Sequence, residues 1–243
     1  MDIQESANSI IDAVKDRSGL QSAIEKIRDL AGLSHVCYHA VSVKGLTERS
    51  QYGLVTYNSM WVRRYLDESY SNIDPVVQAS LRSIIPVDWR LLRWDGPRTR
   101  SFLDEARDFD ISEKGMTFPI HGLHGERALL SINTRKSEDY WDLFIEERAR
   151  QFSLIANQIH LKVKSIETSS LDFPEETASL SPRELAVFHW IARGKSFQDV
   201  ADILKITERT VRAHVASVRT KMNASNVTHA VALAVRYGLV SPF

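Results

Sequence analysis

Apolar residues recur along this chain at two periods. Leu20, Ile24, Ile27, Leu30 and Ala31 share one face of a helix, and a break near Arg17-Ser18-Gly19 is expected to separate it from an earlier helical piece starting at residue 3. His35 to Val43 and Gln51 to Thr56 read as strands joined by a polar turn around Gly45, and Gly115 to Ile120 and Arg127 to Asn133 as a second pair across a His121-Gly122 turn. Asn58 or Ser59 can cap a helix containing Trp61 and Tyr65. Asp74-Pro75 opens another to about Ser83, with Asp as N-cap and Pro at the first helical position. A further helix is expected over Phe102 to Phe109. Ser137 caps a long one to about Ile166, with Phe144, Phe152, Ile155, Ile159 and Val163 along one side. This order predicts an α+β fold over residues 1–166, an α-β-α sandwich with helices on both faces of an antiparallel sheet. Such a sheet can hold a small ligand beneath one helical layer. The segment ETSSLDFPEETA, residues 167–178, reads as a linker.

Residues 179–243 carry only helical patterns. Ser181, with Pro182 and Glu184, forms a capping box and first-turn proline ahead of Leu185, Phe188 and Ile191, and Gly194 ends that helix. Ser196 opens a second helix with Asp199 in its first turn, and Thr207 opens a third. The third buries Val211, Val215, Val218 and Met222. Its opposite face presents Arg209, Arg212, Ala213, Ala216 and Arg219, with Thr210 at the edge and Lys221 beyond. Cations separated by small side chains allow a helix to approach the floor of a major groove. A solvated face on an ordinary bundle explains the charge equally well. The joints between three successively capped helices favour a helix-turn-helix instead. A final helix is expected from Ser225 to Tyr237, with Ala230, Leu233, Ala234 and Tyr237 inward and Gly238 as its stop.

The formal net charge of zero hides an asymmetry. From Ala178 onward there are 9 Lys+Arg against 4 Asp+Glu, leaving 22 against 27 in the rest. A basic tail on an acidic body suits a DNA reader with a separate sensor. No apolar run approaches the ~20 residues a membrane helix needs, so no membrane association is expected. The residues MDIQESANS lack the basic-then-apolar order of a secretory signal. Cys37 is the only cysteine, which excludes an intrachain disulfide and fits a reducing cytoplasm.

In the first 166 residues the chemistry gathers around Tyr57, Trp61, Tyr65, Asp74, Trp89 and Trp94. An aromatic stripe at helical spacing is ordinarily core. Here the aromatics are polar-tipped and lie beside an acid, the mixture of apolar wall and few convergent polar groups that small-molecule sites use.

The motifs SPRE, ARGKS, ADIL and TERTVRAHV resemble the DNA-binding domain of LuxR-type transcription regulators over about 60 residues. The resemblance implies a four-helix domain whose third helix reads the major groove and whose fourth contributes to dimerisation. Trp61-x-x-x-Tyr65, Asp74-Pro75, Trp89 and Gly115 further resemble the acyl-homoserine lactone sensors among these regulators. By that resemblance Trp61 donates to the lactone carbonyl, Asp74 accepts the ligand amide N–H, and Tyr57 and Ser131 bond the acyl carbonyl. Tyr65 and Trp89 wall the ligand, Phe102 and Met116 add apolar lining, and Gly115 is a close-approach position. Arg209, Thr210 and Lys221 hold phosphates. Ala213 and Ala216 are small where base-reading side chains could stand, which leaves direct readout to Arg212; Val227 occupies a position where the family often has a cation. The expected function is quorum-sensing transcription regulation by a cytoplasmic homodimer. Its partners are double-stranded DNA and a small-molecule autoinducer, with RNA polymerase as a further candidate; no cofactor, metal or enzymatic activity is expected. A phosphorylated receiver would need an acidic pair after an early strand, which His35 to Val43 lacks. An enzyme reading of His35, His39, His121 and His124 finds no GxSxG or HExxH. The same fold responding to a non-lactone molecule, or to none, stays open.

Overall fold

The computed structural model describes residues 2–43, 52–122, 125–167 and 180–241. The turn expected at Gly45, His124, and the linker from residue 168 onward lie outside the described residues. The chain divides into two compact units, residues 1–122 with 126–170 and residues 123–125 with 171–243.

The first unit begins with α1 (Ile3–Asp12) and α2 (Arg17–Ala31). The break expected near Arg17-Ser18-Gly19 falls just before it, at residues 13–16. Asp16 is the N-cap of α2 and its carboxylate accepts the Gly19 amide at 2.8 Å, so this glycine sits inside the first turn. Next come β1 (His35–Ser42), β2 (Tyr52–Val55), α3 (Ser59–Asp67), α4 (Pro75–Ser80), β3 (Val87–Asp88), α5 (Pro97–Asp108), β4 (Gly115–His121), β5 (Arg127–Asn133) and α6 (Glu138–Glu167). Asn58 caps α3, and Asp74 caps α4 with Pro75 at its first position. That helix stops at Ser80, short of the expected Ser83. α5 starts at Pro97, ahead of the expected Phe102, because proline is pre-organised for a first turn.

The sheet runs β2-β1-β5-β4-β3, every neighbouring pair antiparallel. Alternation sends successive side chains to opposite faces. Val36, Tyr38, Phe118, Leu130 and Ile132 pack into the main core with α1, α2 and α6, where Ile24, Ile27, Phe152 and Ile155 are almost fully buried. Burying each such side chain contributes about 1.5–3 kcal/mol. The other face carries Cys37, His39, Gly53, Leu129 and Ser131 and looks toward α3, α4 and α5. There a second cluster forms around Trp61, Tyr70, Val76, Trp89, Phe102, Ala106 and Ile111.

The second unit contains α7 (Pro182–Ala192), α8 (Phe197–Leu204), α9 (Glu208–Lys221) and α10 (Val227–Arg236). Ser181 with Glu184 and Ser196 with Asp199 both form complete capping boxes, and Thr207 caps α9. α10 starts at Val227 with Asn226 as its cap, two residues after the expected start at Ser225. Lys205 takes φ 53° between α8 and α9, a left-handed residue that lets the chain turn within two positions. Val187, Phe188, Val200, Val211, Val218 and Ala230 fill the shared core.

Candidate functional site

A cavity of about 280 Å³ lies between the second face of the sheet and helices α3–α5. That is near the lower end of the roughly 300–1,000 Å³ typical of ligand clefts. Tyr57, Trp61, Tyr65, Asp74, Trp89, Phe102 and Ser131 all line it, as do Trp94, Leu103, Ala106 and Ile111.

Each polar group is held differently. Asp74 is buried at 7% exposure. Its Oδ1 accepts the Val76 amide at 2.8 Å as the α4 cap, and its Oδ2 accepts the Tyr65 hydroxyl at 2.9 Å. Burial raises its pKa to about 6, against the opposing pull of the Tyr65 and backbone donors. Each carboxylate oxygen can accept a second bond, so acceptor capacity remains on the cavity side. Trp89 donates its indole N–H to Thr117 Oγ1 at 2.9 Å, and Thr117 Oγ1 lies 2.8 Å from Ser131 Oγ. Either hydroxyl can donate in this pair; when the threonine does, the serine proton is available to another acceptor. Trp94 donates to the Trp89 carbonyl at 3.2 Å. Trp61 is only 3% exposed and touches the rings of Tyr65, Tyr70, Phe102 and Phe109. Yet its N–H meets no acceptor among the described residues. The Tyr57 ring packs 4.9 Å from His35, and burial holds its hydroxyl well above the ordinary tyrosine pKa, hence as a neutral donor.

Gly115 is a close-approach position, as expected. A Cβ there would lie 2.3 Å from Trp89 Cε3. Met116 is different. It pairs with Ile132 on the opposite face of the sheet and packs in the main core, so it does not line the cavity. Sequence reasoning missed Cys37, His39 and Gly53 in the lining and Thr117 behind Ser131. The signal was the strand alternation itself, since Thr117 faces the same way as Gly115 and Ser131 is its cross-strand partner.

In the second unit Arg209, Arg212, Ala213 and Ala216 are exposed along α9, opposite Val211, Val215 and Val218. Thr210 is half-buried beside Thr207, with hydroxyls 2.8 Å apart. Arg212 pairs with Glu208 and lies over the Phe197 ring. Arg219 donates to the Ser225 carbonyl at 2.9 Å. Lys221, expected at a phosphate, has a competing partner. Its ammonium lies 2.8 Å from Glu184 Oε2, which also accepts the Ser181 amide, while Oε1 accepts the Ser217 hydroxyl.

This buried carboxylate ties the start of α7 to α9. Burial alone would raise its pKa; the bonds from Lys221, Ser217 and Ser181 outweigh that and hold it at about 2, below the ordinary 4.5. A depressed carboxylate stabilises the fold above its unfolded pKa and loses that contribution as pH falls from about 4.5 toward 2, up to about 3 kcal/mol. Glu184→Gln should lower the melting temperature of the second unit at pH 7, by roughly 4–8 °C per kcal/mol lost, and flatten its acid dependence between pH 5 and 3. An unaltered acid profile would show that Glu184 is not the linking group.

The geometry defines a two-part molecule: a mostly apolar cavity with convergent polar groups, and a capped helix-turn-helix with a basic outer face. Comparison with known proteins agrees. Residues 16–163 match the autoinducer binding domain, and residues 178–234 match the luxR family of bacterial regulatory proteins. The chain belongs to this family, as a LuxR-family quorum-sensing transcriptional regulator and not an enzyme. The transcriptional activator protein RaiR of Rhizobium etli is 29% identical over 215 residues, 84% of this chain and 88% of that protein. BjaR1 of Bradyrhizobium diazoefficiens, another transcriptional activator, is 31% identical over 185 residues, 75% of this chain and 73% of its own. Among solved structures, SdiA in complex with octanoyl-rac-glycerol superposes with a TM-score of 0.71 at 19% identity, covering 97% of this chain and 94% of that one. Among the described residues no helix is long and apolar enough to cross a membrane.

Proposed function

We propose that the protein binds an N-acyl-homoserine lactone in the sensor cavity and, as a cytoplasmic homodimer, couples its occupancy to promoter binding through α9. The observation that carries the ligand reading is the indole N–H of Trp61, without an acceptor among the described residues, in a cavity that the acceptor Asp74 also lines. Trp61 donates to the lactone carbonyl, Asp74 accepts the amide N–H, and Tyr57 and Ser131 donate to the acyl carbonyl. Tyr65, Trp89 and Phe102 wall the rest. A neutral amphiphile with one amide N–H and two carbonyls matches this set of two kinds of donor and one acceptor. The acyl chain adds about 0.8 kcal/mol per methylene buried.

The dimer reading draws on α6. Leu143, Leu154 and Leu161 are 53%, 51% and 64% exposed. Their separations of eleven and seven residues return to the same face at about 100° per residue, a leucine stripe spanning about 27 Å. A second copy of this chain would cover it. On DNA, Arg212 released from its exposed pair with Glu208 reads bases, and Arg209 and Thr210 hold phosphates. Lys221 contributes through Glu184 to the shape of the domain. Ligand acts by binding the competent state more tightly than the other.

The test is the melting temperature of the full chain with and without lactones of different acyl length. At a hundredfold excess over Kd a ligand stabilises by about 2.7 kcal/mol, a rise of roughly 5–10 °C for a domain of this size. No rise with any chain length sinks the lactone reading and favours a non-lactone signal or none.

A further inference from the structure

We propose that His39 is a specificity-determining residue for the far end of the ligand: it hydrogen-bonds a polar group carried on the acyl tail, and the cavity is selective for a polar-ended acyl group over a purely apolar one of the same length. This rests on the lactone reading above.

The sheet register places the residue. Val55, Cys37, Ser131 and Thr117 form one cross-strand row, and Gly53, His39 and Leu129 form a later row on the same face. Two residues along a strand is about 6.6–6.8 Å, so the His39 row lies several methylenes beyond the hydroxyl row that would meet the acyl carbonyl. Cys37, in the nearer row, feels Asp74 as well as burial, which pushes its thiol to about 12. His39 feels burial alone, which lowers its pKa and keeps the ring neutral. It therefore presents one N–H donor and one nitrogen acceptor in an otherwise apolar part of the cavity. Neither ring nitrogen has a hydrogen-bond partner among the described residues. An apolar tail would cover this ring and leave both nitrogens unmatched, the situation by which polar sites reject analogues lacking a hydroxyl.

Gly53 supports the same reading. A glycine inside a strand weakens it, and no left-handed φ requires one here; a Cβ would meet only the Tyr38 carbonyl at 3.3 Å and Val55 Cγ1 at 3.7 Å. What the glycine does supply is space directly across from the His39 ring.

The probes are a matched pair, 6-hydroxyhexanoyl- and heptanoyl-homoserine lactone, which differ by a hydroxyl in place of a methyl. Calorimetric affinities are measured for the full wild-type chain, His39→Leu and His39→Gln. Wild type should favour the hydroxylated ligand about tenfold. His39→Leu should reverse the order, with heptanoyl binding unchanged or tighter, and His39→Gln should keep the wild-type order. Should His39→Leu fail to fold, the ligand order in wild type and His39→Gln decides alone: heptanoyl preferred by both overturns the assignment. Lactones bound in the same order by wild type and His39→Leu would overturn it while leaving the lactone reading intact. Binding of neither probe, nor of any other lactone, overturns both.

Discussion

Trp61→Phe should weaken lactone binding roughly 5- to 150-fold while moving the melting temperature of the unliganded protein by only a few degrees. The substitution keeps an aromatic ring among Tyr65, Tyr70, Phe102 and Phe109 and deletes an N–H that serves no hydrogen bond within the described fold. What is lost is a donor to the ligand, worth roughly 1–3 kcal/mol when its absence strands a buried carbonyl. Asp74→Ala is the informative contrast. It removes the α4 cap, costing about 0.5–2 kcal/mol, and strips the Tyr65 hydroxyl of its acceptor. Binding and stability should fall together there. The two variants thus separate a residue reserved for ligand from one shared with the fold. Acid provides a second check. Asp74 titrates near 6 in the folded chain against 3.8 unfolded. A raised carboxylate binds more protons when folded, so the unliganded sensor should lose up to about 3 kcal/mol of stability as pH rises from about 4 through 6. Lactone affinity should move the opposite way, falling as pH drops below 6, because a protonated carboxyl no longer accepts freely. Equal loss of melting temperature and affinity in Trp61→Phe would return this residue to the core.

Helix starts were legible because capping is local. Ser181, Ser196, Thr207 and Asn58 each act on an amide two or three residues away, and sequence shows both partners. Gly19 shows the same local logic: the break expected near it falls at residues 13–16, because Asp16 makes this glycine part of a first turn. Non-local pairing was harder to see. β3 is two residues long and is a strand only because Val87 and Asp88 lie along Thr117 and Met116. The site was readable where it stands on helices, at Trp61, Tyr65 and Asp74, and half-readable on strands. Alternation says that Met116 and Ser131 occupy faces, but only the register, Met116 with Ile132 and Thr117 with Ser131, says that they occupy opposite ones. Cys37 and His39 stayed hidden because a half-buried strand residue declares its period and not what lies above it.

Gly115→Ala is expected to destabilise the sensor unit by about 1–3 kcal/mol or more, lowering its melting temperature by roughly 2–12 °C, and to abolish the ligand response. The added methyl would stand 2.3, 2.4 and 2.6 Å from Trp89 Cε3, Cδ2 and Cζ3. These atoms belong to the body of the indole, not the end of a flexible chain, so the ring must move as a whole. It is not free to do so. Its N–H is fixed on Thr117 Oγ1, its own carbonyl accepts from Trp94, and it is 5% exposed. No left-handed φ at position 115 adds backbone strain, so the cost is steric and should yield to a compensating cut. Trp89→Leu in the Gly115→Ala background should recover part of the lost stability, giving a positive coupling in a double-mutant cycle. Ligand response should stay low, because the same cut removes the wall that positions Thr117 and Ser131. Additive effects of the two substitutions, or an alanine variant that melts with wild type, would mean that the indole and the glycine do not constrain one another.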